Sequence, residues 1–112
     1  VEEFSVPTLQ LFDPAMCCDT GVCGAEPDPV LAQVTADLHW LAARGVSVQR
    51  FNLGQQPEAF AALTLVRTTL QQEGVGVLPL TILDGQVVGR GAYLDRTTLA
   101  RQTGVGEDVT AR

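Results

Sequence analysis

The sequence has no apolar run long enough to cross a bilayer. Its longest uncharged apolar stretch runs only from Val75 to Leu83, where a membrane-spanning helix needs about 20 residues. No basic start leads into a long apolar segment at the N-terminus, so no secretory signal is visible. Positive charge is also scarce: seven basic residues stand against thirteen acidic ones, for a net charge of −6. Nucleic-acid binding works by displacing counterions with clustered cations. The basic residues here are scattered, which argues against DNA as the main partner. Cysteine is sparse and odd in number. Three thiols do not make the even set of a secreted disulfide scaffold, and a reduced, cytoplasmic thiol cluster fits better. Repeats and low-complexity segments are absent.

What is present is an ordinary globular composition, 46% hydrophobic and 18% charged over 112 residues. That is enough chain for one core and too little for two. We expect a single domain over residues 1–112, with its core from about 8 to 104 and a frayed tail over 105–112. Thr8 to Asp13 alternates polar and apolar residues and reads as a strand that Pro14 stops. Asp28 offers an N-cap with Pro29 in the first helical position. Val30, Leu31, Val34, Leu38 and Leu41 then mark a buried helical face as far as about Arg44, closed by Gly45. Val46 to Phe51 is a second alternating strand. Gln56-Pro57 starts a helix with Phe60, Leu63, Val66 and Leu70 on its apolar side, ending at Gly74. Leu80 to Leu83 and Gln86 to Gly89 form a hairpin across Asp84-Gly85, and Asp95 caps a last helix that ends near Gly104. The order βαβ followed by ββα predicts an α/β, thioredoxin-like fold: a four-stranded mixed sheet flanked by three helices. Pro79, opening a good strand, is expected to follow a cis peptide bond in that layout.

All three cysteines fall in one glycine-flanked loop, DPAMCCDTGVCG, from Asp13 to Gly24. A redox dithiol places its cysteines three apart at a helix start; Cys17, Cys18 and Cys23 do not. A disulfide between neighbours would close across Cα atoms only about 3.8 Å apart. Structural zinc asks for four ligands. The one histidine, His39, lies on the first helix at a spacing that matches no standard zinc pattern, and reads as a partly exposed surface side chain. Asp19 reads as a turn residue that caps backbone amides. Three thiolates alone suit trivalent arsenic or antimony, whose lone pair fills the fourth direction. They also cancel the 3+ charge, which makes the complex cheap to hold in a partly desolvated loop. Cys18 and Cys23 could lie up to roughly 17 Å apart in an extended chain, so the segment must fold back, and Gly21 and Gly24 permit this. Gly89-Arg90-Gly91 lacks the context of a phosphate loop and reads as a turn. Arg50 and Arg90 are expected to pair with carboxylates or to face a partner.

The DPAMCCDTGVCG loop closely resembles the signature loop of the ArsD family of arsenical-resistance metallochaperones and trans-acting repressors. The likeness continues through RFNL (Arg50 to Leu53), Gln56-Pro57, Phe60 and the LPL-x-x-LDG stretch from Leu78 to Gly85. The resemblance implies a thioredoxin-like fold and As(III) or Sb(III) as cargo held by Cys17, Cys18 and Cys23, without an organic cofactor. It also implies a homodimer, cytosolic thiols as metalloid donors, and delivery to the arsenite-stimulated efflux ATPase, ArsA. Some relatives carry further vicinal cysteine pairs near their C-terminus; this chain has no cysteine after Cys23, so one metalloid site is expected. The leading expectation is a non-enzymatic cytoplasmic metallochaperone. A metalloid-responsive repressor of the arsenical-resistance operon is the alternative, and a thiol oxidoreductase is disfavoured by the missing C-x-x-C.

Overall fold

A computed structural model describes residues 6–16 and 28–105 of the chain. The elements in order are β1 (Thr8–Asp13), α1 (Pro29–Ala43), β2 (Ser47–Asn52), α2 (Pro57–Ala62), α3 (Thr64–Glu73), a 3₁₀ turn (Val75–Val77), β3 (Leu80–Leu83), β4 (Gln86–Arg90) and α4 (Arg96–Thr103). The sheet order is β2-β1-β3-β4. β1 and β2 run parallel from Thr8 beside Ser47 to Asp13 beside Asn52. β3 lies antiparallel to β1, with Phe12 opposite Leu80, and β4 lies antiparallel to β3. This is the expected thioredoxin-like arrangement, and the Leu78–Pro79 peptide is cis. Continuing the β1–β3 register by one residue sets Pro79 opposite Asp13, at the edge where the cysteine loop leaves the sheet.

The capping and turn signals act as the sequence suggests, whereas Val30, expected on the buried face of α1, is 55% exposed in its first turn. Asp28 Oδ1 accepts from the Val30 amide at 2.8 Å, and Asp95 accepts from the Thr98 amide at 2.8 Å. Each such cap is worth about 1 kcal/mol. Asp84 and Gly85 both have positive φ, 50° and 86°, the conformation of a two-residue hairpin turn whose twist matches its strands. Asp84 is also tied to Thr8, donating its amide to the Thr8 carbonyl and accepting the Thr8 amide on Oδ1, both at 2.9 Å.

One helix departs from expectation. The segment from Pro57 to Gly74 is not continuous, because Leu63 is extended (φ −94°, ψ 112°) and separates α2 from α3. On an unbroken helix Phe60 and Val66, six residues apart, would point about 120° apart. The break lets both reach the same core, where they are 2% and 0% exposed. Tertiary burial therefore overrides helical continuity.

Apolar side chains collect on both faces of the sheet. Leu9, Leu11, Val34, Leu38, Leu41, Val46 and Leu99 join β1 to α1 and α4. On the other face Phe12, Phe60, Val66, Leu80 and Ile82 join the strands to α2 and α3. Phe12 is central there: its ring lies 5.1 Å from Phe60, edge to face, and 5.2 Å from Phe51. Gly89 packs closely: a Cβ there would meet the Leu94 side chain at 3.0 Å and require it to shift. Removing the Phe60 ring should cost about 3–5 kcal/mol. A Phe60→Ala variant is therefore expected to melt well below the parent protein in a calorimetric scan, and an unchanged melting temperature would show that α2 contributes little to the core.

Candidate functional site

Cys17, Cys18 and Cys23 lie outside the described residues, as do Asp19, Gly21, Gly24 and the tail from residue 106. What the structure defines is the frame that carries the loop. One stem is the end of β1 through Met16; the other is the start of α1 at Asp28. Among the described residues, no group of three histidine, cysteine or acidic side chains is placed to hold a metal. His39 is exposed on α1.

The first stem is anchored by a buried carboxylate. Asp13 is 0% exposed. Its Oδ2 accepts from Arg50 Nε at 2.7 Å, and its Oδ1 accepts from the Tyr93 hydroxyl at 2.5 Å. Its backbone carbonyl accepts from the Leu53 amide at 3.2 Å. Both carboxylate oxygens thus have strong donors, which a buried charge requires. Arg50, its side chain 13% exposed, extends the arrangement to the second stem. Its Nη1 donates to Thr35 Oγ1 in α1 at 3.0 Å. Its third nitrogen, Nη2, is buried and has no hydrogen-bond partner among the described residues.

Beyond Asp13 the chain rests on the turn after β2. The Met16 amide approaches Asn52 Oδ1 at 3.5 Å. That oxygen also accepts from the Gln55 amide at 2.9 Å, while Gln56 Oε1 accepts from the Asn52 amide at 3.0 Å. Gly54 sits beneath: a Cβ there would meet Asn52 Oδ1 at 3.3 Å and the Ala15 Cβ and Met16 carbonyl at 3.4 Å. The residues immediately before Cys17 are thus seated on the segment Asn52–Gln56.

Sequence reasoning put Arg50 and Arg90 against carboxylates or a partner. The two differ in kind. Arg50 pairs with Asp13 in the interior, whereas Arg90 pairs with Glu73 at the surface, both about half exposed, where such a pair contributes little. Gly89 belongs to β4, and the turn falls at Gly91 (φ 79°), whose amide donates to the carbonyls of Val77 at 2.8 Å and Pro79 at 3.0 Å. Sequence reasoning missed Tyr93 and Thr35. Tyr93 lies 80 residues from Asp13, and no local pattern links a lone tyrosine after β4 to a strand end on the far side of the chain.

The family model described as "Arsenical resistance operon protein ArsD" matches residues 6–112. The chain belongs to the ArsD family. An Escherichia coli relative described as "Arsenical resistance operon trans-acting repressor ArsD" is 46% identical over 101 residues, covering 90% of this chain and 84% of the relative. A second Escherichia coli relative with the same description is 45% identical over 97 residues, 87% of this chain and 81% of its own. The crystal structure of an arsenical resistance operon trans-acting repressor from Bacteroides vulgatus superposes with a TM-score of 0.83 at 32% identity, covering 95% of this chain and 100% of that one. No described helix of this ArsD-family chain is long and apolar enough to cross a membrane.

Burial first, and then the hydrogen bond donated to Asp13, push the Tyr93 hydroxyl far above the ordinary tyrosine range. A raised folded-state pKa means that the folded chain holds this proton more tightly than the unfolded one. The stabilisation is complete below the unfolded value of about 10 and fades as pH rises beyond it. Tyr93 is the single tyrosine, so tyrosinate absorbance reports it alone. The native protein should show none at pH values where the urea-unfolded chain is already half ionised. A Tyr93→Phe variant should lose about 1–3 kcal/mol from the donor taken from Asp13, and with it this alkaline dependence. Native titration near 10 would show that the hydroxyl does not engage Asp13.

Proposed function

We propose that this ArsD-family chain is a cytoplasmic arsenic metallochaperone, without catalytic activity, that carries As(III) or Sb(III) on the thiolates of Cys17, Cys18 and Cys23. The observation that supports it most is the clustering of every thiol in one loop, raised on stems that the sheet holds from two sides. Three thiolates match both the charge and the three-coordinate preference of the trivalent metalloid. Cytosolic thiols would supply the metalloid, and the arsenite-stimulated ATPase ArsA would receive it. Transfer proceeds by stepwise thiolate exchange, in which one loop sulfur leaves the metalloid as a partner cysteine binds. Each step needs a deprotonated attacking sulfur.

Reduced protein should bind one As(III) per chain with three sulfur ligands, read by X-ray absorption during an arsenite titration. A Ser replacement of any one of the three cysteines should weaken binding severely, since it removes one of three bonds to the ion. Full-strength binding by Cys23→Ser would show that the adjacent pair suffices. A variant with all three cysteines replaced by Ser should keep a melting temperature near that of the parent, because the frame described above contains no thiol. Global unfolding would make the cluster structural instead.

Delivery has its own test. Direct exchange to ArsA should proceed in the presence of a small dithiol that traps free arsenite, and should slow as pH falls and the attacking thiols protonate. Transfer quenched by the trap would reduce the chain to an arsenite buffer.

Both Escherichia coli relatives are described as arsenical resistance operon trans-acting repressors, which favours a second reading; in it, a homodimer of this chain would repress the operon and release DNA on binding metalloid. A salt-dependent shift of operator DNA, reversed by arsenite, would favour it. Absence of binding at low salt would sink it.

A further inference from the structure

The Arg50 side chain bonds both of the elements between which the cysteine loop runs. Nε reaches Asp13, the last residue of β1, and Nη1 reaches Thr35, in the second turn of α1. β1 is already fixed to β2 by the parallel ladder. α1 is held differently: its contact with the sheet is through Val34, Leu38 and Leu41 packed on Leu9 and Leu11. Apolar packing is non-directional and tolerates a helix sliding or rotating by a fraction of a turn. The Arg50–Thr35 bond is, among the described residues, the side-chain hydrogen bond that sets α1 against the sheet.

The chemistry at this position is not what stability alone would select. A single ammonium would neutralise Asp13 without leaving a third nitrogen buried and unpartnered among the described residues, as Nη2 is. Only a guanidinium offers two donors far enough apart to serve Asp13 and Thr35 together. Local departures from full hydrogen bonding tend to mark functional positions.

We propose that Arg50 is a positioning residue for the metalloid site: by clamping Asp13 and Thr35 it fixes the separation and orientation of the loop's two stems, so that three sulfurs converge on one ion. The inference rests on the three-cysteine reading above. A three-coordinate site built on one loop binds tightly only if the loop's ends are already placed, because any ordering left to the binding step is subtracted from affinity. The role assigned to Arg50 is indirect. It acts through Asp13 and Thr35.

The test uses two substitutions that disturb opposite ends of the clamp. Arg50→Lys keeps a positive charge for Asp13 but cannot serve both stems. Thr35→Val removes the acceptor on α1 and leaves the Asp13 pair intact. Both are checked for folding by their melting transitions, then titrated with arsenite while sulfur coordination is followed by X-ray absorption. Each should stay folded, bind arsenite about tenfold or more weakly, as changes in a supporting shell around ligands usually do, and show fewer than three sulfurs per arsenic. The Arg50→Lys/Thr35→Val double variant should be no weaker than Arg50→Lys alone, because both act through one bond. Parent-like affinity with three sulfurs in both folded variants overturns the proposal. So does full additivity in the double variant. Should the unaltered protein itself fail to bind arsenite through three sulfurs, the metalloid reading falls, and the clamp is judged on metal-free protein. Faster amide exchange at both Met16 and the first turns of α1 in each variant would then uphold it, and unchanged exchange would overturn it.

Discussion

A wholly buried carboxylate at the end of β1 organises the end of the fold that carries the cysteine loop. Taking a charge of that size out of water costs several kcal/mol even after relaxation, and the cost is recovered only through close, well-aligned partners. Asp13 obtains them from two distant parts of the chain, Arg50 on β2 and Tyr93 after β4. Because those partners must come to it, the guanidinium is drawn inward, where its Nη1 reaches Thr35 in α1. The tyrosine is held in its neutral form over the whole physiological range. One desolvated charge thus brings β1, β2, α1 and the β4–α4 connection to a common point. An apolar trio of similar volume would often be as stable or more so, which directs attention to placement and not to stability as what the arrangement provides.

Much of this fold can be read from local chemistry, and the parts that cannot share a cause. β1 and β2 follow from alternation and the caps from Asp28 and Asp95; β3, β4 and the hairpin between them follow from Asp84-Gly85. Each of these signals is decided within a few residues. The division at Leu63 escapes such reading because helical periodicity continues through it; only the requirement that Phe60 and Val66 fill one core shows why the chain breaks there. Tyr93 escapes for the same reason on a larger scale. Its role is set by a partner 80 residues away. The candidate site divides in the same way: the thiols and their ligand logic are visible in the loop's sequence, while the clamp beneath them appears only when the sheet brings Asp13, Arg50 and Thr35 together.

The thioredoxin-like frame also explains how one layout serves different chemistries. In this chain the loop leaves the end of β1, where cis-Pro79 lies in register beside Asp13, and rejoins at α1, and the fold leaves the loop's contents free to vary. With cysteines three apart at a helix start, the same loop would support dithiol exchange. With Cys17, Cys18 and Cys23, under the function proposed above, it would present three sulfurs to a soft trivalent ion. The distinction lies in spacing alone, so neither the fold nor the superposition on a relative settles the chemistry by itself.

The charge distribution bears on how the two functional readings relate. Of the seven arginines, Arg50, Arg90 and Arg96 are each paired with a carboxylate, of Asp13, Glu73 and Asp37. Arg44 lies 4.3 Å over the Trp40 ring, with Arg96 5.1 Å from the same ring. Arg67 donates to the Ala61 carbonyl at 2.7 Å. Seven basic residues against thirteen acidic ones leave each copy with a net charge of −6, so the electrostatic share of DNA affinity per copy is small. A repressor built from this chain would therefore rely on pairing two copies across a symmetric site, which doubles the contacts. The proposed chaperone would need no such pairing, because its three ligands would come from one loop of one chain. Of the two readings, oligomerisation is thus a requirement for the repressor and incidental to metalloid carriage.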